Sequence, residues 1–370
     1  MPAHRSLLSL LLFAAACASP APAPTLEPSS TPFRLGTFEF TETAGSHTSV
    51  GVVIEDATVI DLSAAAVALG FEVPVEMKAL IAAYAAGARD RIRGVVGAVE
   101  AAGDARPAYV HDLPAVTVRP PIMYPTTLLN TAVNYAEHDI EMARVRDGSP
   151  GQTAPTAGGA LPGTESAPGI WERPEGDWRW NPYMFMKAPA AIIAHGEAIR
   201  IPPGRSQVEW ECELGVVIGP TATRVPVASA MDYVFGYTLQ NDVSDRGGRG
   251  DARYGSDWLI AKSHDTFAPL GPFITPKEFV VDPGKLAITF ALNGEVLQEG
   301  TTAQMIHTVA EQVAYGSSIL TLRAGDIIAT GTLPGAGSAR TPPIFFKPGD
   351  TASCTYEGVG TLVNPVVGPD

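Results

Sequence analysis

The chain reads as a β-rich α+β protein, with a small α+β unit ahead of a larger, strand-dominated catalytic domain. Three observations predict this. Short runs rich in Val, Ile, Leu and Thr, separated by Gly and Pro, recur between Val208 and Tyr356. Helical periodicity is confined to a few stretches, at Met77–Tyr84, Ile92–Val99 and Ala303–Ser318. The 370 residues, 45% of them hydrophobic, suffice for one large or two modest domains with a sizeable core.

The first thirty residues stand apart from both units. Leu7 to Ala16 form a short apolar run after His4 and Arg5, ending in small residues before Cys17, so residues 1–16 are expected to be a signal peptide too short to span a bilayer. The run resembles a bacterial lipoprotein signal, in which the cysteine after the cleavage point is lipid-modified. Export to the periplasm or outer surface, with an anchor at Cys17, is therefore expected. Residues 17–32 are Pro-rich and read as an extended tether.

Residues 33–117 carry strand patterns at Arg34–Phe40, Ser49–Glu55 and Thr58–Leu62, then the two helical stretches, without candidate chemistry. The proline-punctuated segment Val118–Pro125 marks the boundary to the catalytic domain, residues 118–370. Within it, residues 146–181 are dense in Gly, Pro, Ser and Thr and carry Trp171, Trp178 and Trp180, which is the composition expected of a lid-like insertion. Strands are predicted at Val208–Ile218, Tyr233–Gln240, Ala287–Leu292, Asp326–Thr330 and Thr351–Tyr356, with a helix at Ala303–Ser318. Cys212 and Cys354 lie in apolar strand patterns and read foremost as small buried hydrophobes, with a pairing after export left open.

The net charge is −14 and no Lys/Arg block is present, which argues against nucleic acid as a partner. Acidic residues instead form the first chemical signal. In Val208-Glu209-Trp210-Glu211-Cys212-Glu213-Leu214 a strand would place the three glutamates on one face. Like charges at that spacing need a cation once buried, and oxygen-only ligands suit Mg²⁺, Mn²⁺ or Ca²⁺ rather than zinc. The competing reading is an exposed acidic edge strand. Asp242, at the end of the apolar run Gly236–Asn241, adds a third ligand to Glu211 and Glu213 and favours the metal.

Lys262 is an isolated lysine among apolar and turn residues, fit either to neutralise developing negative charge or to pair with those carboxylates. His138 and Glu141 share a helix face at i, i+3, the arrangement in which a carboxylate orients an imidazole as general base. The loop Gly331–Gly337 follows a strand and can offer backbone N–H groups and the Thr332 hydroxyl to a substrate carboxylate. His47, His111, His195, His264 and His307 are assigned no chemistry.

These motifs occur in a defined order: Asn134-Tyr135-xx-His138-xx-Glu141, Phe185-x-Lys187, Glu211-x-Glu213, Asn241-Asp242-Val243-Ser244-x-Arg246, Lys262-Ser263-x-Asp265 and Gly325-Asp326 to Thr332. In that order they resemble the fumarylacetoacetate hydrolase superfamily, from about residue 118 to the end. The resemblance implies a mixed β-roll or barrel and a homodimer. It implies Mg²⁺ or Mn²⁺ on Glu211, Glu213 and Asp242, and water activation by His138 with Glu141. It also implies substrate contacts by Thr332, Tyr135 and Arg246, while Glu209 is left a hydrogen-bonding or ion-pairing role. The expected reaction is hydrolytic C–C cleavage of a 2,4-dioxo acid. Isomerisation or decarboxylation of a related acid on the same platform, and a non-catalytic metal- and oxo-acid-binding lipoprotein, are the alternatives.

Overall fold

The fold was analysed in a computed structural model, which describes residues 26–42, 45–147, 177, 179, 181–247 and 257–369. The expected signal peptide, Cys17, most of the tether, most of the insertion with Trp171, Trp178 and Trp180, and the segment 248–256 lie outside the described residues.

Alternation of apolar residues in the first three runs yields strands at Arg34–Glu42, Gly45–Ile54 and Thr58–Asp61, paired as an antiparallel meander. Asp61 ends the third and caps the helix Leu62–Leu69, its carboxylate accepting from the N–H groups of Ser63 and Ala64. Helices Met77–Ala83 and Ala88–Ala102 bury Leu80, Ile81, Ile92, Val95 and Val96 against this meander, as their spacing predicts.

The meander does not form a sheet of its own. Arg34–Glu42 pairs with Ala268–Pro276, Leu35 opposite Ile274, so one sheet crosses residue 118. Beyond Ala268–Pro276 it continues through Val234–Asn241, Cys212–Ile218, Ile327–Thr332, Leu128–Ala132 and Tyr183–Met186. Ile327–Thr332 and Leu128–Ala132 run parallel. The sheet is open, with free ends at Val110–Asp112 and Tyr183–Met186.

A second sheet of five strands, Glu295–Thr301, Ala287–Leu292, Thr351–Tyr356, Gly360–Val367 and Ile199–Arg200, supplies the other wall of the main core. Trp210 stacks on Phe290 at 5.0 Å between ring centroids. Cys212 and Cys354 are both buried and joined by a disulfide across this core, so they are more than separate small hydrophobes. The architecture is thus the expected mixed, sheet-rich α+β fold.

Two elements differ from the sequence expectation. The helix expected over Ala303–Ser318 divides into a 3₁₀ turn at Thr302–Gln304 and a helix at Val309–Ile319. Thr308 and Glu311 form a reciprocal capping box there, which starts the helix afresh. The strand expected over Val208–Ile218 is interrupted at Trp210 and Glu211: Val208–Glu209 pairs with Ser244–Asp245, whereas Cys212–Ile218 joins the large sheet.

Candidate active site

The interruption at Trp210 and Glu211 sets the site. Cys212–Ile218 is an interior strand, bonded to Val234–Asn241 on one side and Ile327–Thr332 on the other. Glu209, Glu211 and Glu213 are all buried, which excludes the exposed edge strand. Asp242 follows the end of its strand, its N–H donating to the Glu211 carbonyl at 2.8 Å, and the Glu211 N–H is held by Asn241 Oδ1 at 3.0 Å. These bonds bring one oxygen each of Glu211, Glu213 and Asp242 within 4.8 Å of one another. Three buried oxygen donors so close together fit a hard divalent cation.

Three cations serve the same cluster. Lys262, at the end of the short helix Trp258–Lys262, donates to Glu211 Oε2 and Asp242 Oδ2, both at 2.6 Å. Lys187, fully buried just after the strand Tyr183–Met186, reaches Asp242 Oδ1 at 2.5 Å and the Val243 carbonyl at 3.0 Å. Arg246 bridges Glu209 and Glu211. Counting Glu209, the four carboxylates exceed these cations by one negative charge, and Glu213 carries the imbalance. Burial and the charges of Asp242 and Glu211 push its carboxyl well above the usual range. Burial opposes the charge of Glu211 too, but Lys262 and Arg246 hold it well below that range. Burial pulls the Lys187 ammonium down to about 8, against the attraction of Asp242.

His138 and Glu141 lie on the helix Ala136–Asp147, with Nδ1 and Oε1 2.7 Å apart. The Glu141 carboxylate also accepts from the N–H groups of Gly335, at 2.9 Å, and Ala336, at 3.3 Å. A carboxylate held by these backbone donors is fixed against Nδ1 of the ring, and Nε2 is the second nitrogen of His138.

A cavity of about 630 Å³ opens above these groups, with His138, Glu211, Glu213, Arg246, Lys262 and Thr332 at its floor. Three expectations change. The N–H groups of the loop serve protein carboxylates, since Gly331 donates to Glu213 at 3.0 Å, Gly335 and Ala336 to Glu141, and Ser338 to Glu209. Thr332 reaches the floor, yet its hydroxyl donates to the Cys212 carbonyl and accepts from Gln298. Tyr135 does not line the cavity; it is fully buried in the main core, close enough to Glu213 for that charge to act on its hydroxyl. A tyrosine next to a helix start is equally suited to packing, and the sequence alone does not separate the two. Lys187 had no assigned role; its signal was an isolated lysine directly after an apolar strand, as at Lys262.

Comparison with known proteins places this geometry in context. The profile of the fumarylacetoacetate (FAA) hydrolase C-terminal family matches residues 127–367. Oxaloacetate tautomerase Fahd2a, mitochondrial, of Rattus norvegicus is 40% identical over 187 residues, and the human protein FAHD2A of the same description is 41% identical. That alignment spans 50% of this chain and only 59% of the rat protein. Among solved structures, maleylpyruvate hydrolase from Sphingobium sp. SYK-6, in complex with manganese (II) ion and pyruvate, is similar with a TM-score of 0.62 and 27% identity, covering 91% of this chain and 100% of that one. The 5-carboxymethyl-2-hydroxymuconate delta-isomerase from Mycobacterium smegmatis gives 0.60 and 28%, covering 91% and 99%.

Proposed function

The chain belongs to the fumarylacetoacetate hydrolase family, and from that premise we propose a divalent-metal-dependent hydrolase that cleaves a C–C bond in a short 2,4-dioxo acid. The observation that carries the hydrolytic reading is the 2.7 Å pair of His138 and Glu141 at the cavity floor. An oriented imidazole is what activation of water requires.

Held by Glu211, Glu213 and Asp242, a Mg²⁺ or Mn²⁺ ion supplies Lewis-acid polarisation of the oxo acid. The residues of the chain do the rest. Glu141 fixes the ring of His138 by accepting from Nδ1–H, so that Nε2 takes a proton from water. The resulting hydroxide adds to the C4 carbonyl, and the C3–C4 bond breaks. The electron pair left on C3 is stabilised by the positive charge of Lys262 and then protonated, giving pyruvate and a carboxylic acid. Thr332, once its bond to the Cys212 carbonyl is exchanged, orients the acid end. Replacing His138 by Ala should remove most turnover of an acylpyruvate, followed as loss of its enol absorbance with Mg²⁺ present. Unchanged turnover would sink the dyad.

A second reading rests on the 40% identity to the rat oxaloacetate tautomerase. Keto–enol exchange of a 2-oxo acid moves one proton between C3 and the 2-oxygen, and the same imidazole can take it from one and return it to the other without adding water. Enol oxaloacetate offered in parallel with an acylpyruvate separates the two reactions. Export, a lipid anchor at Cys17 and a homodimer complete the proposal. The buried disulfide supports export, because such pairs persist in oxidising compartments.

A further inference from the structure

The floor of the cavity is charged, whereas its outer wall is mostly apolar. Val133, Met142, Val145, Tyr183, Phe185 and Trp258 line it. Phe185 and Trp258 lie 4.8 Å apart between ring centroids, and Tyr183 continues the row at 5.6 Å from Trp258. The row begins at the reacting centre, since Lys262 Nζ sits 5.1 Å from the centroid of the Phe185 ring. It ends at the mouth, where Tyr183 is 54% exposed. A large aromatic left that open beside a polar site marks a contact surface for a ligand.

The charges of the wall point the same way. Among the described residues, the cationic side chains lining the cavity are Arg246 and Lys262, with the imidazole of His138 beside them. Arg246 and Lys262 are bonded to Glu209, Glu211 and Asp242, and His138 to Glu141. The ionisable group beside the apolar row is Asp139. A carboxylate at the far end of a substrate would meet repulsion from Asp139 and lose its water against aromatic surface, with no cation among the described lining residues of that wall to receive it.

We propose that this row selects oxo acids whose far end is an uncharged hydrocarbon, so that the substrate is an acylpyruvate-like acid rather than a dioate. The inference rests on the oxo-acid reading above, but binding tests it separately from catalysis. The tail lies along Phe185, Trp258 and Tyr183, while the oxo-acid head occupies the floor.

The test is calorimetric titration of the metal-loaded full chain with 2-oxo acids lacking a cleavable bond: 2-oxobutanoate, 2-oxohexanoate, 2-oxooctanoate and 2-oxooctanedioate. Affinity should rise about three- to four-fold for each added methylene that reaches the wall. The octanedioate should bind at least about ten-fold more weakly than the octanoate, the cost of burying an unpaired carboxylate. In Tyr183→Lys, a change at an exposed mouth position, that order should reverse. Trp258→Ala should weaken octanoate while leaving butanoate unchanged. Equal or tighter binding of the dioate by the native chain, affinity independent of tail length, or no binding of any of the acids would each overturn the inference. Selective binding of the octanoate together with full activity of His138→Ala would instead remove the hydrolytic mechanism and leave the tail preference standing.

Discussion

Replacing Glu141 probes the dyad at its most heavily bonded member. The carboxylate accepts from His138 Nδ1 at 2.7 Å, Gly335 N at 2.9 Å and Ala336 N at 3.3 Å, and its side chain is 15% exposed. Glu141→Ala strands those donors. A buried donor without an acceptor costs about 1–3 kcal/mol. The contact at 3.3 Å is weak, so a total near 3 kcal/mol is expected. Glu141→Gln retains one acceptor oxygen and the side-chain volume, and should cost about 1 kcal/mol. Catalysis should not follow that order. Either change removes the charged partner that orients the ring through Nδ1, and kcat should fall about 10²-fold or more in both variants. Urea unfolding at saturating Mg²⁺ measures the first effect, and steady-state turnover of an acylpyruvate the second. If Glu141→Gln keeps the native kcat, the carboxylate only pins the loop at Gly335 and the dyad assignment falls.

Two more outcomes follow from the site and its surroundings. Because the folded pKa of Glu213 lies above its unfolded value, its protonated form stabilises the metal-free fold at low pH, and that contribution disappears as pH rises through the folded pKa. Metal uptake must remove this proton, so affinity for Mg²⁺ should strengthen with pH across that interval and each ion bound should release a proton; binding enthalpies identical in buffers of different ionisation heat would contradict this. Cys354→Ser should lower stability by about 2–5 kcal/mol, because the disulfide joins positions 142 residues apart and the reduced chain regains that loop entropy. The urea midpoint under oxidising conditions reads the loss, and an unchanged midpoint would show that the pair contributes nothing.

The chemistry was more legible in the sequence than its mounting. Glu211, Glu213 and Asp242 could be read as ligands because acidic residues in apolar strand patterns need compensation, and Lys262 because a lone lysine in such company needs a partner. His138 and Glu141 share a helix face by spacing, but their reading as a dyad rests on the family resemblance, with Asn134 and Tyr135 in place ahead of them. The break at Trp210 left no trace, since every residue from Val208 to Ile218 is buried and alternation loses its meaning when both faces are covered. The bond of Leu35 to Ile274 is likewise invisible, because strand pairing at that separation is decided by tertiary packing. Loop N–H groups carry no side-chain signature, so nothing distinguished a loop that receives substrate from one that receives Glu141 and Glu213. Tyr135 was expected at the substrate and is buried in the core instead, and the pairing of Cys212 with Cys354 was left open, because both depend on tertiary packing.

The position of Cys212 between Glu211 and Glu213 has a consequence for the order in which the protein is made. The segment Glu211–Glu213 acquires its covalent tie at Cys212 only after a further 142 residues have left the ribosome. Its hydrogen-bonded neighbour Ile327–Thr332 arrives late as well. An ion meeting the nascent chain would find Glu211, Glu213 and Asp242 already synthesised but not yet held in register. Maturation of the site is therefore an event of the completed chain, and oxidant is called on after synthesis rather than during it.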